Sequence, residues 1–169
     1  MSEPQHAFIA QQMRITYSPE EDRLLWQVST KESEYRFWLS RRLVAGLQPM
    51  LSQLLAKQVE QAHIQNEKMA PIDAHTALSE ADRKTEYQTP KAAENQPPKA
   101  AQVIRTVNFN LNTQGFVIAN IADCDELLAL HRSLVSGMVA LLKERADQAQ
   151  WGLDLKLPEQ TPLGEQVVH

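Results

Sequence analysis

The strongest constraint on this chain is a pattern that occurs twice. Within residues 23–62, alternating apolar side chains give way to helical spacing, the signature of two strands followed by a helix. Residues 102–148 repeat that order. Two ββα units leave two sheet faces and two helix stripes to bury, and a shared core can bury all of them.

In the first unit, Leu24, Trp26 and Val28 alternate with Leu25, Gln27 and Ser29, and Tyr35, Phe37 and Leu39 alternate with Arg36 and Trp38. Lys31-Glu32-Ser33 is short enough for a hairpin loop. Ser40 is positioned to N-cap a helix carrying Leu43, Leu47, Met50, Leu51, Leu54 and Leu55 on one stripe. Helical propensity runs to Met69. Pro49 lies inside the stripe, and an interior proline costs about 3 kcal/mol, so a kinked or two-part helix is expected.

In the second unit, Val103, Val107, Phe109 and Leu111 share one strand face, interrupted by Arg105, with Ile104, Thr106, Asn108 and Asn110 on the other. Asn112-Thr113-Gln114-Gly115 is a turn, with glycine where a positive φ is expected. The partner strand runs from Phe116 to Ile121. Asp123 and Glu126 form a capping box ahead of a stripe running from Leu127 to Leu142. Outer strands are expected at each end. Met13, Ile15 and Tyr17 alternate within residues 7–17, and residues 151–157 alternate up to Pro158. Arg41-Arg42-Leu43-Val44-Ala45-Gly46-Leu47 also resembles Arg132-Ser133-Leu134-Val135-Ser136-Gly137-Met138.

The expected architecture is α+β. It has a mostly antiparallel sheet of about six strands, ordered β-ββα-linker-ββα-β, with two long helices packed on one face. Residues 1–69 form the first half and residues 102–158 the second half of the same core. Residues 70–101, rich in Pro, Ala and Gln, form a flexible linker, and 159–169 a loose tail. This order is similar to that of small α+β domains that pair strand-rich faces, among them single-strand nucleic-acid binders and some secretion chaperones. A likeness of architecture carries no function by itself.

Composition narrows the function. Apolar residues make up 43% of the 169, which is the range of globular chains. The net charge of −4 disfavours a strongly basic nucleic-acid binder. Cys124 is the only cysteine, so no intrachain disulfide or cysteine metal site is expected. The first residues lack the pattern of a secretory signal, and no apolar run is long enough to span a membrane. A cytoplasmic protein is expected, with no cofactor. The sequence contains no P-loop, no GxGxxG after a strand, no GxSxG and no HExxH. The five histidines show no ligand spacing.

The best candidate site is the junction of the third strand and first helix: Arg36, Trp38, Arg41 and Arg42. Two arginines in a first helical turn oppose the macrodipole, so something nearby should compensate them. An anion or single-stranded nucleic acid could do so, with Trp38 stacking on a base. Pairing with Glu20, Glu21, Asp22 or Glu34 is the more ordinary alternative and the stronger one. A polar sheet face of Arg14, Thr16, Gln27, Arg36, Thr106, Asn108 and Asn110 is a solvated or partner surface. Cys124, flanked by two aspartates at the expected helix start, is a structural thiol. The expected function is therefore a non-enzymatic protein-interaction or assembly module. It would be homodimeric or bound to another protein, with single-stranded nucleic-acid or polyanion binding as the alternative.

Overall fold

The computed structural model describes residues 7–64, 100–122, 124 and 126–157. The expected linker (apart from Ala100 and Ala101), the continuation of the first helix to Met69, the Asp123 cap and the tail from 159 lie outside the described residues.

The elements follow in the order β1 (Ala7–Ile9), β2 (Gln12–Ser18), β3 (Arg23–Ser29), β4 (Glu34–Leu39), α1 (Arg41–Ile64), β5 (Gln102–Val103), β6 (Val107–Leu111), β7 (Val117–Ile121), β8 (Leu127–Leu130) and α2 (Arg132–Gln148). They build two four-stranded sheets, β1-β8-β7-β6 and β2-β3-β4-β5. The α+β class and the antiparallel pairing are as expected, but a single sheet of about six strands is corrected to two. The first long strand is broken and serves both sheets. The Ala10 amide donates to the Ala129 carbonyl in one sheet, and the next amide, Gln11, donates to Ser29 in the other. The strand beginning at Gln102 does the same. The Ile104 amide donates to the Trp38 carbonyl, whereas the Ala122 amide donates to the carbonyl of Thr106. Strands that switch sheets make corners, and here two of them close the pairing into a circuit. The corner also shifts the side-chain phase. Val103 is exposed and Ile104 buried, so Val103 does not share the buried face of Phe109.

The two inner faces supply one cluster of buried side chains. Ile15, Leu24, Trp26, Phe37 and Leu39 come from one sheet, and Phe109, Val117, Ile121, Leu128 and Leu130 from the other. Each large apolar side chain so buried contributes roughly 1.5–3 kcal/mol. The rings of Trp26 and Phe37 lie 5.4 Å apart, tilted by 40°, at the centre of this packing. The helices pack on each other, with α2 also against β2 and α1 against β6, so the expectation of both helices on one face of one sheet is replaced.

Three local expectations are corrected as well. First, α2 does not begin at Asp123. Leu127-Leu128-Ala129-Leu130 is strand β8, paired in parallel with β1 and antiparallel with β7. A short continuous apolar run fits a buried strand as well as a helix, and neighbours on both edges decided for the strand. The cap is His131, whose Nδ1 accepts from the Ser133 amide. Second, α1 runs through Pro49 as one helix. Pro49 is exposed, while Leu47, Gln48 and Leu51 around it are buried, so packing on the other side offsets the missing ladder bond. Third, residues 151–157 make no strand. They bury Trp151 and Leu155 in the core and are held by Gln48, whose Nε2 donates to Lys156 O at 2.7 Å and Val139 O at 3.3 Å.

Other expectations hold. Ser40 Oγ accepts from the Leu43 amide at 3.2 Å. Gly115 has φ 89°, and the turn around it is tied to α1 by Gln58 Nε2 to Gly115 O and Gln61 Nε2 to Asn112 O. The two halves also correspond element by element. Leu39-Ser40-Arg41 and Leu130-His131-Arg132 each pass from a strand through a capping residue into a helix. Gly46 and Gly137 are then equivalent, but their surroundings differ. A Cβ on Gly46 would meet nothing within 4 Å, whereas one on Gly137 would lie 3.3 Å from Met13 Cε. Glycine in an open helix interior costs about 0.5–1 kcal/mol relative to alanine. Gly46→Ala should therefore raise the urea unfolding midpoint by about that free energy, while Gly137→Ala should gain less or nothing.

Candidate functional site

The outer face of β2-β3-β4-β5 is built by strand register. Pairing of Leu25 with Trp38, Gln27 with Arg36 and Ser29 with Glu34 places these side chains in cross-strand rows. β2 extends the rows with Thr16, Arg14 and Gln12, and β5 adds Val103 beside Trp38. The middle row is thus Thr16, Leu25, Trp38 and Val103. Leu25 and Trp38 are only half-buried and stand apart from the core cluster, and Val103 is 53% exposed. This face is the one that the core leaves uncovered.

A polar row lies on one side of it. Arg14 donates through Nε and Nη2 to Gln27 Oε1 at 2.9 and 2.6 Å, covering a glutamine that is only 3% exposed. Arg36 Nε meets Glu34 Oε1 at 2.8 Å. On the other side, Arg23 pairs with Ser18 in register. The expected polar face therefore includes Arg14, Thr16, Gln27 and Arg36. Thr106, Asn108 and Asn110 belong elsewhere, since 108 and 110 pair within the other sheet.

The four candidate residues are divided by the structure. Arg36 and Trp38 share the outer face. Arg41 and Arg42, both exposed, open α1 beyond the end of β4, and no acidic residue lies in that first turn. Arg41 is instead compensated across space by Asp22 in the β2–β3 turn. The Asp22 carboxyl is held below its ordinary value of 3.8, first by a hydrogen bond from Trp151, then by one from Tyr17, with the Arg41 charge a smaller cause. Both donors reach the same oxygen, Tyr17 Oη and Trp151 Nε1 each lying 2.8 Å from Asp22 Oδ1. The Tyr17 hydroxyl is correspondingly pushed above its ordinary value by the same hydrogen bond, then by burial and by the Asp22 charge. Asp22 adopts φ 51°, a left-handed conformation that aspartate tolerates better than most residues.

This triad was not foreseen, because it joins residues far apart in sequence. Only the polar turn at 18–22 and the alternation around Trp151 hinted at its parts. Cys124 is half-buried, precedes β8 rather than a helix, and its Sγ lies 3.5 Å from the Glu126 carbonyl. Among the described residues, no group of three His, Cys, Asp or Glu side chains could hold a metal ion, and no helix is long and apolar enough to cross a membrane. Comparison with protein-family models, with curated proteins and with solved structures finds no match to this chain.

The triad makes a pH prediction. Because the folded state holds the Asp22 carboxyl below its ordinary value, the ionised form contributes stability above that value. The contribution is lost as pH falls through the folded-state value. Asp22→Asn, which keeps a residue suited to positive φ, should flatten the acid limb of the stability–pH curve. Urea unfolding at a series of pH values between neutrality and pH 3 measures it.

Proposed function

We propose that this protein is a non-enzymatic interaction and assembly module. Its contact surface is the outer face of β2-β3-β4-β5, and a second copy of the chain is its first partner. The supporting observation is the uncovered row of Leu25, Trp38 and Val103, bordered by Arg14, Gln27 and Arg36 on one side and Arg23 on the other. An apolar centre containing tryptophan, with a polar rim that includes arginine, is the composition of protein contact surfaces. Both signs of charge are present at the rim. Glu34 stands beside Arg36 at one end of the sheet and Asp22 near Arg41 at the other. A two-fold contact can therefore set opposite charges against each other, and isologous pairing requires that kind of self-complementarity.

Light scattering of the full chain should give a particle of twice 19.2 kDa at micromolar concentration. Leu25→Glu or Val103→Glu should return it to the monomer mass without changing the far-ultraviolet circular dichroism. A wild-type protein that stays at the monomer mass up to about 0.5 mM would remove the self-assembly reading.

A polyanion reading is favoured by one observation: Arg14 and Arg23 lie on the same face as Trp38 and Arg36. Trp26 and Trp151 are buried, so oligonucleotide stacking on this face would change the emission of Trp38. Titration with oligothymidylate should then show a change that weakens as salt is raised from 50 to about 200 mM. That response should diminish in Arg14→Ala and in Arg41→Ala/Arg42→Ala. A salt-insensitive or absent response leaves the protein partner as the reading.

A further inference from the structure

The first strand of each half pairs with the third long strand of the other half. β1 lies in parallel beside β8, with Ala7 opposite Leu127, Phe8 opposite Leu128 and Ile9 opposite Ala129. β5 lies in parallel beside β4, with Phe37 opposite Gln102 and Trp38 opposite Val103. The two halves thus exchange arms within one chain.

The β1 arm is lightly held. All three of its residues are exposed, Phe8 at 42% and Ile9 at 55%, so backbone pairing with β8 is its main attachment. The strand that receives it is different in kind. Leu128, Ala129 and Leu130 are buried, and β8 needs a neighbour on that edge to satisfy its backbone groups. The arm also has a defined pivot. Ala10 is bonded to β8 and Gln11 to the end of β3, so the peptide between them is where the chain leaves one sheet for the other.

We propose that the β8 edge is a strand-docking site, and that its occupant can be the β1 arm of a second copy as well as the chain's own. Reciprocal exchange restores every contact that each arm gives up, because the incoming segment is identical to the outgoing one. Exchange of identical elements is for that reason a low-cost route to a dimer. The arm within the chain has the advantage of an effective concentration in the millimolar range for a short tether. The exchanged dimer is accordingly a minor species at micromolar protein and grows with concentration. It involves the β8 edge and not the outer face of the other sheet, so it stands or falls separately from the assembly surface above.

Disulfide trapping tests it on the full chain, with Cys124→Ser as background. Facing strand partners lie within the Cα separation that a disulfide requires. An Ile9→Cys/Ala129→Cys double variant should close, which confirms that the arm docks on β8. The decisive sample mixes two single variants, Ile9→Cys on a chain carrying a mass tag and Ala129→Cys on an untagged chain. Under mild oxidation this mixture should yield a crosslinked product of the two chains. The yield should rise at least several-fold when protein is raised from 10 to about 300 μM, and should be unaffected by adding Leu25→Glu to both chains. Closure of the double variant within one chain, with no product joining the two single variants at either concentration, overturns the proposal. Failure of the double variant to close either within or between chains overturns it too, because β1 would then not dock on β8.

Discussion

The fold depends on backbone groups that must be paired at two corners. Ala10 and Gln11 bond to different sheets, as do the segments on either side of residues 104–106. These two passages turn a pair of sheets into a closed circuit of pairing around one buried cluster. Every other feature follows from holding that circuit closed. Edge positions of β2 and β6 lie next to α2 and α1, and Arg145 Nε donates to the Ile15 carbonyl at 2.8 Å, taking up an acceptor that β2 would otherwise leave open.

Helix α1 ties the two halves together by polar means. Gln48 reaches across to α2 and the 151–157 segment, and Gln58 and Gln61 reach the β6–β7 turn. Gln48 and Gln58 are almost fully buried, so each amide that finds a carbonyl avoids a desolvation penalty of about 1–3 kcal/mol. Such bonds have directional requirements that apolar contacts lack. They explain why a helix containing proline and a glycine at an open position still sits in one defined place. The residues that give α1 its position are therefore glutamines, which a search for apolar stripes passes over.

Much of the local structure was legible in the chain. Strand alternation in 23–29 and 34–39, the Ser40 cap and the turn at Gly115 each rest on interactions between residues near in sequence. The outward placement of Arg36 and Trp38 was legible for the same reason, since period-two alternation assigns faces without reference to the rest of the fold. Leu127–Leu130 was misjudged as helix because its spacing fits either element. Val103 was misjudged because the strand changes phase at a corner. The Arg41–Asp22 compensation was foreseen only as one of several pairings.

The sequence by itself determined which segments are strands and helices over most of the chain, and which side chains share a strand face. Those choices follow from steric periodicity and short-range capping. Tertiary structure alone decided that there are two sheets and not one, that each half lends a strand to the other, and that Tyr17, Asp22 and Trp151 converge. Each of these depends on backbone hydrogen bonds or side-chain contacts between residues distant in the chain. Such partners carry no local signature, because any open strand edge can accept any other until the core closes over one arrangement.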